Sequence, residues 1–138
     1  MQSTAAVVAV VALAKVAAVR RDVLNVKREV LKPWGKEIIW AETKDYVGKI
    51  LFINKGHRLS RQYHSIKEET IIVNNGQLTI EIGAKEYLKK IVLSKGECYH
   101  VKPNTIHRFC APDDDVEIFE VSTPHLDDVI RLEDDYRR

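Results

Sequence analysis

Cysteine is nearly missing from this chain. Cys98 and Cys110 are its two thiols, without close spacing and without a framework around them, so no disulfide scaffold is implied and two reduced thiols in a cytoplasmic protein are expected. An excess of charge of one sign is missing too. A formal net charge of +2 over 138 residues is too small to imply a nucleic-acid partner, and the lysines and arginines are scattered along the chain. A membrane-spanning run is also lacking. The longest apolar stretch, Thr4 to Val19, reads TAAVVAVVALAKVAAV and is broken by Lys15, whereas a span needs about 20 apolar residues and a mid-span charge is costly. A secretory signal needs a basic start, which Met1-Gln2-Ser3-Thr4 does not provide. Internal repeats and low-complexity linkers are absent as well, and the length suits one domain with one core.

What is present falls into two parts. Residues 1–25 form an apolar N-terminal extension in which alanine favours helix and the valine pairs favour strand. Helix is slightly preferred, with Ser3 or Thr4 available as an N-cap. Such a segment should pack on the rest of the chain or across a second subunit. From Val26 to Arg138 the pattern changes to short apolar runs separated by turn signals, the mark of an all-β sandwich or barrel. Ile38–Trp40, Ile50–Ile53, Ile71–Val73, Leu78–Ile80, Glu97–Val101, His107–Ala111 and Val116–Ser122 are the expected strands. Asn75-Gly76 predicts a type I′ hairpin between the third and fourth of these.

The residues able to carry chemistry cluster near that turn. On an extended strand, residues two apart share a face, which sets Arg58, Ser60, Gln62 and His64 together. Glu69 opens the next strand and can turn its carboxylate into the same space, and His107 follows Gly96 by eleven residues. One amide oxygen, two imidazoles and a carboxylate suit one divalent ion (zinc, manganese, cobalt, iron or nickel) and leave coordination positions open. A single buried histidine is usually a hydrogen-bonded core residue; four ligand types in register favour a metal.

The run GHRLSRQYHSIKEETIIVNNG, followed by GECYHVKPNTIHR, resembles the two cupin motifs with Gln62 in place of the usual first histidine. That glutamine resembles the phosphomannose isomerases. Lys32-Pro33-Trp34-Gly35, the run Arg58 to His64 and the tail Ile130 to Tyr136 are most similar to the isomerase domain of bifunctional mannose-6-phosphate isomerase/mannose-1-phosphate guanylyltransferases. The likeness covers about Leu31 to Arg138. It departs from the family at Ser65 and Ile66, where further histidines are frequent, and at Arg137, in place of a tail glycine. Pro103 also stands one residue later than usual. The guanylyltransferase domain is not part of this sequence, so no nucleotide chemistry is carried over.

The resemblance implies a cupin barrel and a metal-dependent aldose–ketose isomerase acting on mannose 6-phosphate and fructose 6-phosphate. A Lewis acid would stabilise the enediolate charge, and a general base is still required. Glu69 and His100 are candidates for that base. Arg58, on the expected inward face, is the first candidate for a phosphate clamp, and Arg138, matching an arginine of the family tail, is the second. Arg58 could instead pair with Glu69 or with a nearby tail carboxylate such as Asp134. Lys67, Lys102 and Arg108 read as solvated charges. Leu59 and Tyr63 on the opposite face, with the two-sided apolar strand Ile50–Ile53, suggest a homodimer. A cupin dioxygenase and a non-catalytic sugar-binding or assembly barrel are the alternatives.

Overall fold

The structure is a computed structural model describing residues 28–138, so the expected packing of the N-terminal extension lies outside the described residues. Its strands are β1 (Arg28–Lys32), β2 (Gly35–Glu42), β3 (Val47–Ile53), β4 (His57–Arg58), β5 (Arg61–Tyr63) and β6 (Glu69–Asn75). They continue as β7 (Leu78–Ile82), β8 (Lys89–Leu93), β9 (Cys98–Val101), β10 (His107–Ala111), β11 (Val116–Ser122) and β12 (Ile130–Glu133). Two antiparallel sheets result, ordered β1-β2-β3-β11-β6-β9 and β12-β5-β10-β7-β8, with β4 also on β10. The described residues contain no α-helix and a single 3-10 turn, Lys85–Tyr87. The fold is a cupin jelly roll.

Alternation explains why these segments are strands. In β6, Ile71 and Val73 are buried while Thr70 and Ile72 face out, and in β11 Val116 and Ile118 are buried. β-Branched side chains at every second position fit a pleated surface with one buried face. Leu51, Ile53, Ile71, Val73, Ile80 and Ile118 meet between the sheets with Trp34 and Phe109. The Pro-Trp-Gly segment turns β1 into β2 and drops Trp34 into that core. Gly35 is required there, because a Cβ would stand 1.9 Å from the Phe52 carbonyl oxygen.

The expected hairpin at Asn75-Gly76 does not form. β6 pairs with β11 and β9, and β7 pairs with β10 and β8, so the chain crosses from one sheet to the other at this point. Gly76 has φ +77°, while Asn75 is not among the positive-φ residues, so a type I′ turn is ruled out. The turn signal was real, but its role is to let the backbone pass close to β11: a Cβ on Gly76 would meet the Asp115 carbonyl oxygen at 2.2 Å. Gly76→Ala should therefore cost about 2 kcal/mol or more through strain at positive φ and this contact. Urea denaturation would show it as a lowered midpoint at unchanged slope, and an unchanged midpoint would contradict the crossing geometry.

Candidate functional site

One end of the space between the sheets is lined by polar side chains. Gln62 on β5 lies opposite His107 at the start of β10, His64 follows β5, and Glu69 opens β6 in the facing sheet. His64, Glu69 and His107 are all buried, with ligand-capable atoms within 4.8 Å of one another. Gln62 lines the same cavity, and its Oε1 accepts the Ser60 hydroxyl at 2.7 Å.

The hydrogen bonds fix which ring nitrogens face inward. His64 Nδ1 lies 2.6 Å from the Asp128 carbonyl and His107 Nδ1 lies 2.9 Å from the Thr105 carbonyl. A carbonyl only accepts, so each Nδ1 carries the proton and each Nε2 presents the remaining nitrogen to the cavity. Both Nε2 atoms are buried without a hydrogen-bond partner among the described residues. They stand 3.3 Å (His107) and 3.7 Å (His64) from the Glu69 oxygens. In the neutral rings these are lone pairs aimed at a carboxylate, an arrangement that is unfavourable without a cation between them. Two ligands about 2.1 Å from a shared ion in tetrahedral geometry would be about 3.4 Å apart, so the spacing fits a divalent metal.

Charge is concentrated behind these groups. The Lys67 ammonium contacts Glu69 Oε2 and lies 2.9 Å from Glu120 Oε1 on β11. Glu69, Glu120 and Lys67 are 2%, 3% and 5% exposed. Burial pushes the Glu69 carboxyl up, but the Lys67 ammonium against it holds it well below the usual carboxylate range, which a neutral ring presenting a lone pair cannot do. Burial likewise favours a neutral Lys67, and Glu120 and Glu69 overcome this, so its pKa lies above the ordinary lysine value. Lys67 is thus a buried cation of the site, against the expectation of a solvated charge. The sequence shows only its spacing from Glu69; Glu120 comes from a distant strand.

Asp128 is the other residue that sequence reasoning missed. Its carbonyl orients His64, and its carboxylate accepts N–H groups from Ser65, Ile66 and Lys67 at 3.1, 2.7 and 2.8 Å. It stands in an ordinary-looking Asp-Asp pair, with no local signal.

Arg58 and His100 are elsewhere. Leu59 and Ser60 are both buried, and the alternation slips by one residue between β4 and β5, so the expected parity fails. Leu59 enters the core, contrary to its expected outward placement, and Arg58 faces out, where Asp135 accepts from its Nε at 2.7 Å and its Nη2 at 3.1 Å. The partner is a tail carboxylate, as in the second alternative, at Asp135. His100 is outward because its strand partner is Thr70, whose Oγ1 lies 2.8 Å from His100 Nδ1. Arg108, expected on the surface, is 1% exposed beneath Glu133 and Asp135. Arg138 does line the cavity, with its guanidinium donating to Asp134 at 2.9 and 3.2 Å.

Comparison with known proteins agrees with the fold. The family model described as mannose-6-phosphate isomerase C-terminal matches residues 19–134. The chain belongs to that family. A curated relative, "Mannose-1-phosphate guanylyltransferase RfbM" of Salmonella typhimurium, is 31% identical over 110 residues, covering 77% of this chain and 22% of the relative. The chain thus spans about a fifth of the relative's length. Among solved structures, the capsular polysaccharide assembling protein CapF of Staphylococcus aureus superposes with TM-score 0.69 at 16% identity, over 83% of this chain and 34% of CapF. KdgF of Halomonas sp. gives TM-score 0.63 at 20% identity, over 76% and 90% of the two chains. Oxalate decarboxylase of Bacillus subtilis gives 0.65 at 12% identity, over 80% and 32%. These structural likenesses speak for the fold alone.

The Asp128 carboxylate offers a pH test. Backbone N–H groups of Lys67, Ile66 and Ser65 pull its pKa from 3.8 to about 2. A depressed carboxylate contributes its stability above the unfolded value and loses it as pH falls toward the folded one. The melting-temperature gap between wild type and Asp128→Ala should therefore narrow between about pH 4 and pH 2 and stay constant above about pH 5. Parallel acid profiles for the two proteins would disconnect this carboxylate from the His64 loop.

Proposed function

We propose that this domain is a metal-dependent aldose–ketose isomerase of sugar phosphates, acting on mannose 6-phosphate and fructose 6-phosphate in the cytoplasm. The carrying observation is the pair of buried, unpartnered histidine Nε2 atoms facing the Glu69 carboxylate beside Gln62. A divalent ion held by His64, His107, Glu69 and Gln62 would supply Lewis acidity to the carbonyl and hydroxyl oxygens whose charge changes in the reaction. Three neutral donors and one carboxylate leave net positive charge at such a centre.

The protein's own groups do the rest. The permanently charged Lys67 ammonium stabilises negative charge developing on a substrate oxygen beside Glu69. Of the two inner-cavity carboxylates that do not face the histidines, Glu37 is held by Lys32 and Lys49, and Glu120, beside Lys67, is the candidate to carry a proton between adjacent carbons. Glu69 is occupied by the two rings and Lys67, and His100 lies on the other face of its strand, so neither is assigned the base. Trp34, Leu59 and Phe109 close the apolar floor of the cavity and exclude water from it.

A coupled assay interconverting the two hexose phosphates tests this directly. Activity should vanish with a chelator and return with a divalent ion. His64→Ala or His107→Ala should reduce metal content below one ion per chain and activity by at least about 100-fold. Metal-replete protein with no isomerisation would remove the isomerase reading, and full metal content in both variants would remove the ligand assignment.

A homodimer is part of the same proposal. Leu59 lies in the core and gives it no support, whereas Ile50 of the apolar strand Ile50–Ile53 is half-buried on the outer face. What supports it is a row of outward apolar residues, Ile38, Ile50, Phe119 and Ile72, in register across four strands of the larger sheet. Trp40 and Val121, 49% and 52% exposed, flank it. Phe119→Lys should halve the mass seen by light scattering while leaving metal content intact, and a wild type that is already monomeric would end the idea.

A further inference from the structure

The mouth of the metal-binding cavity holds more positive charge than its carboxylates neutralise. Lys32 Nζ lies 3.3 Å from Glu37 Oε1, and Lys49 Nζ lies 3.5 Å from Glu37 Oε2, so one carboxylate serves two ammonium groups. The Glu37 and Lys49 side chains are only 12% and 11% exposed, which limits screening by water. Arg131 has no ion-pair or hydrogen-bond partner for its guanidinium among the described residues. It nevertheless stands opposite Gln62 in the β5–β12 register, one strand away from the metal-binding groups.

These cations sit where two spaces join. The inner cavity, about 110 Å³, continues into an outer cleft of about 360 Å³, and Lys32, Glu37, Lys49, Leu126, Val129 and Arg131 line both. Arg28, Val30, Ile39 and Asp127 complete the outer wall, with Arg28 4.0 Å from Glu42. The inner cavity alone is smaller than the roughly 300–1,000 Å³ usual for small-molecule sites, and the added cleft brings it into that range. A hexose 6-phosphate has two poles: its reacting carbons at one end and a dianionic phosphate at the other. The inner space answers the first pole and the cationic junction the second.

We propose that the junction is an anion subsite for the phosphomonoester of the substrate, with Arg131 as its main contact and Lys32 and Lys49 beside it. Arg58 is spent on Asp135 and Arg138 on Asp134, whereas Arg131 keeps its full set of donors. A guanidinium fork matches two phosphate oxygens, and the two ammonium groups add point charges. This inference rests on the reading that the sugar reacts at the His64–Glu69–His107 end.

The test compares metal-loaded wild type with Arg131→Gln, Arg131→Lys, Lys32→Gln and, as a control outside the cleft, Arg58→Ala. Turnover is measured on mannose 6-phosphate and on mannose, and inorganic phosphate is used as a competitor. Arg131→Gln should raise KM for the phosphorylated sugar and the inhibition constant of phosphate together by about 10- to 100-fold, the scale of a lost charge-assisted contact. Its kcat, its metal content and its behaviour toward mannose should stay within about threefold. Lys32→Gln should follow in the same direction, Arg131→Lys should recover part of the loss, and Arg58→Ala should match wild type. Unchanged KM and phosphate inhibition in Arg131→Gln would overturn the subsite while leaving the isomerase intact. If wild type does not isomerise at all, calorimetric titration with inorganic phosphate decides alone. Binding weakened in Arg131→Gln upholds the subsite without the isomerase, and equal binding overturns it.

Discussion

A carboxylate with 2% of its surface exposed must be neutralised from within the protein, and Glu69 is surrounded on three sides. Lys67 contacts one oxygen, and the two histidine rings face the pair. Desolvation of each charge costs several kcal/mol unless its partners are well placed, so the surroundings of Glu69 are constrained together. Lys67 must stay buried, which requires Glu120 as a second counter-charge. The 65–67 loop must hold Lys67 in place, which Asp128 does by accepting three backbone N–H groups. The same Asp128 fixes the tautomer of His64 through its carbonyl. Removing the buried charge would release several of these requirements at once, so the polar network is specific as a unit.

Much of the barrel was legible because burial on one face writes a period of two into the chain. Ile71 and Val73 in β6 and Val116 and Ile118 in β11 display it directly. The residues around the cavity were legible for the same reason, since Gln62 lies on β5, His64 directly follows it and Glu69 begins β6. Parity fails where the strand is irregular. Leu59 and Ser60 are an apolar and a polar residue in ordinary alternation, yet both are buried, and the one-residue slip sends Arg58 to the outside. Nothing local encodes that slip, because β4 and β5 are set by their separate pairings with β10.

Two other features depend on contacts distant in sequence. A turn signal such as Asn75-Gly76 specifies a backbone conformation and leaves open which strand each arm will pair with. Here β11 takes β6 and β10 takes β7, so a glycine suited to a hairpin makes a sheet crossing. Lys67 looked like a surface charge because long charged side chains usually are. Its burial is decided by Glu120, 53 positions away, and only the folded arrangement brings that carboxylate within 2.9 Å.

The C-terminal segment shows how outer and inner charges are tied to each other. Arg108 on β10 is 1% exposed, and its outward guanidinium is met by Glu133 and Asp135. Arg61 lies between Glu81 and Glu133 on the same side, at 2.6 and 3.2 Å. These pairs need the tail across the outer surface of the smaller sheet, where leaving Arg108 without a partner would strand a buried charge. Anchoring the tail there sets the register of β12 on β5, and that register places Arg131 opposite Gln62. The same segment ends with Arg138 on the cavity wall, held by Asp134. Ion pairs on the outside of the sheet therefore determine which cations reach the cavity mouth, although none of the outer carboxylates lines it. A change at Glu133 would act on the site through strand register, at a distance from any group that could touch a ligand.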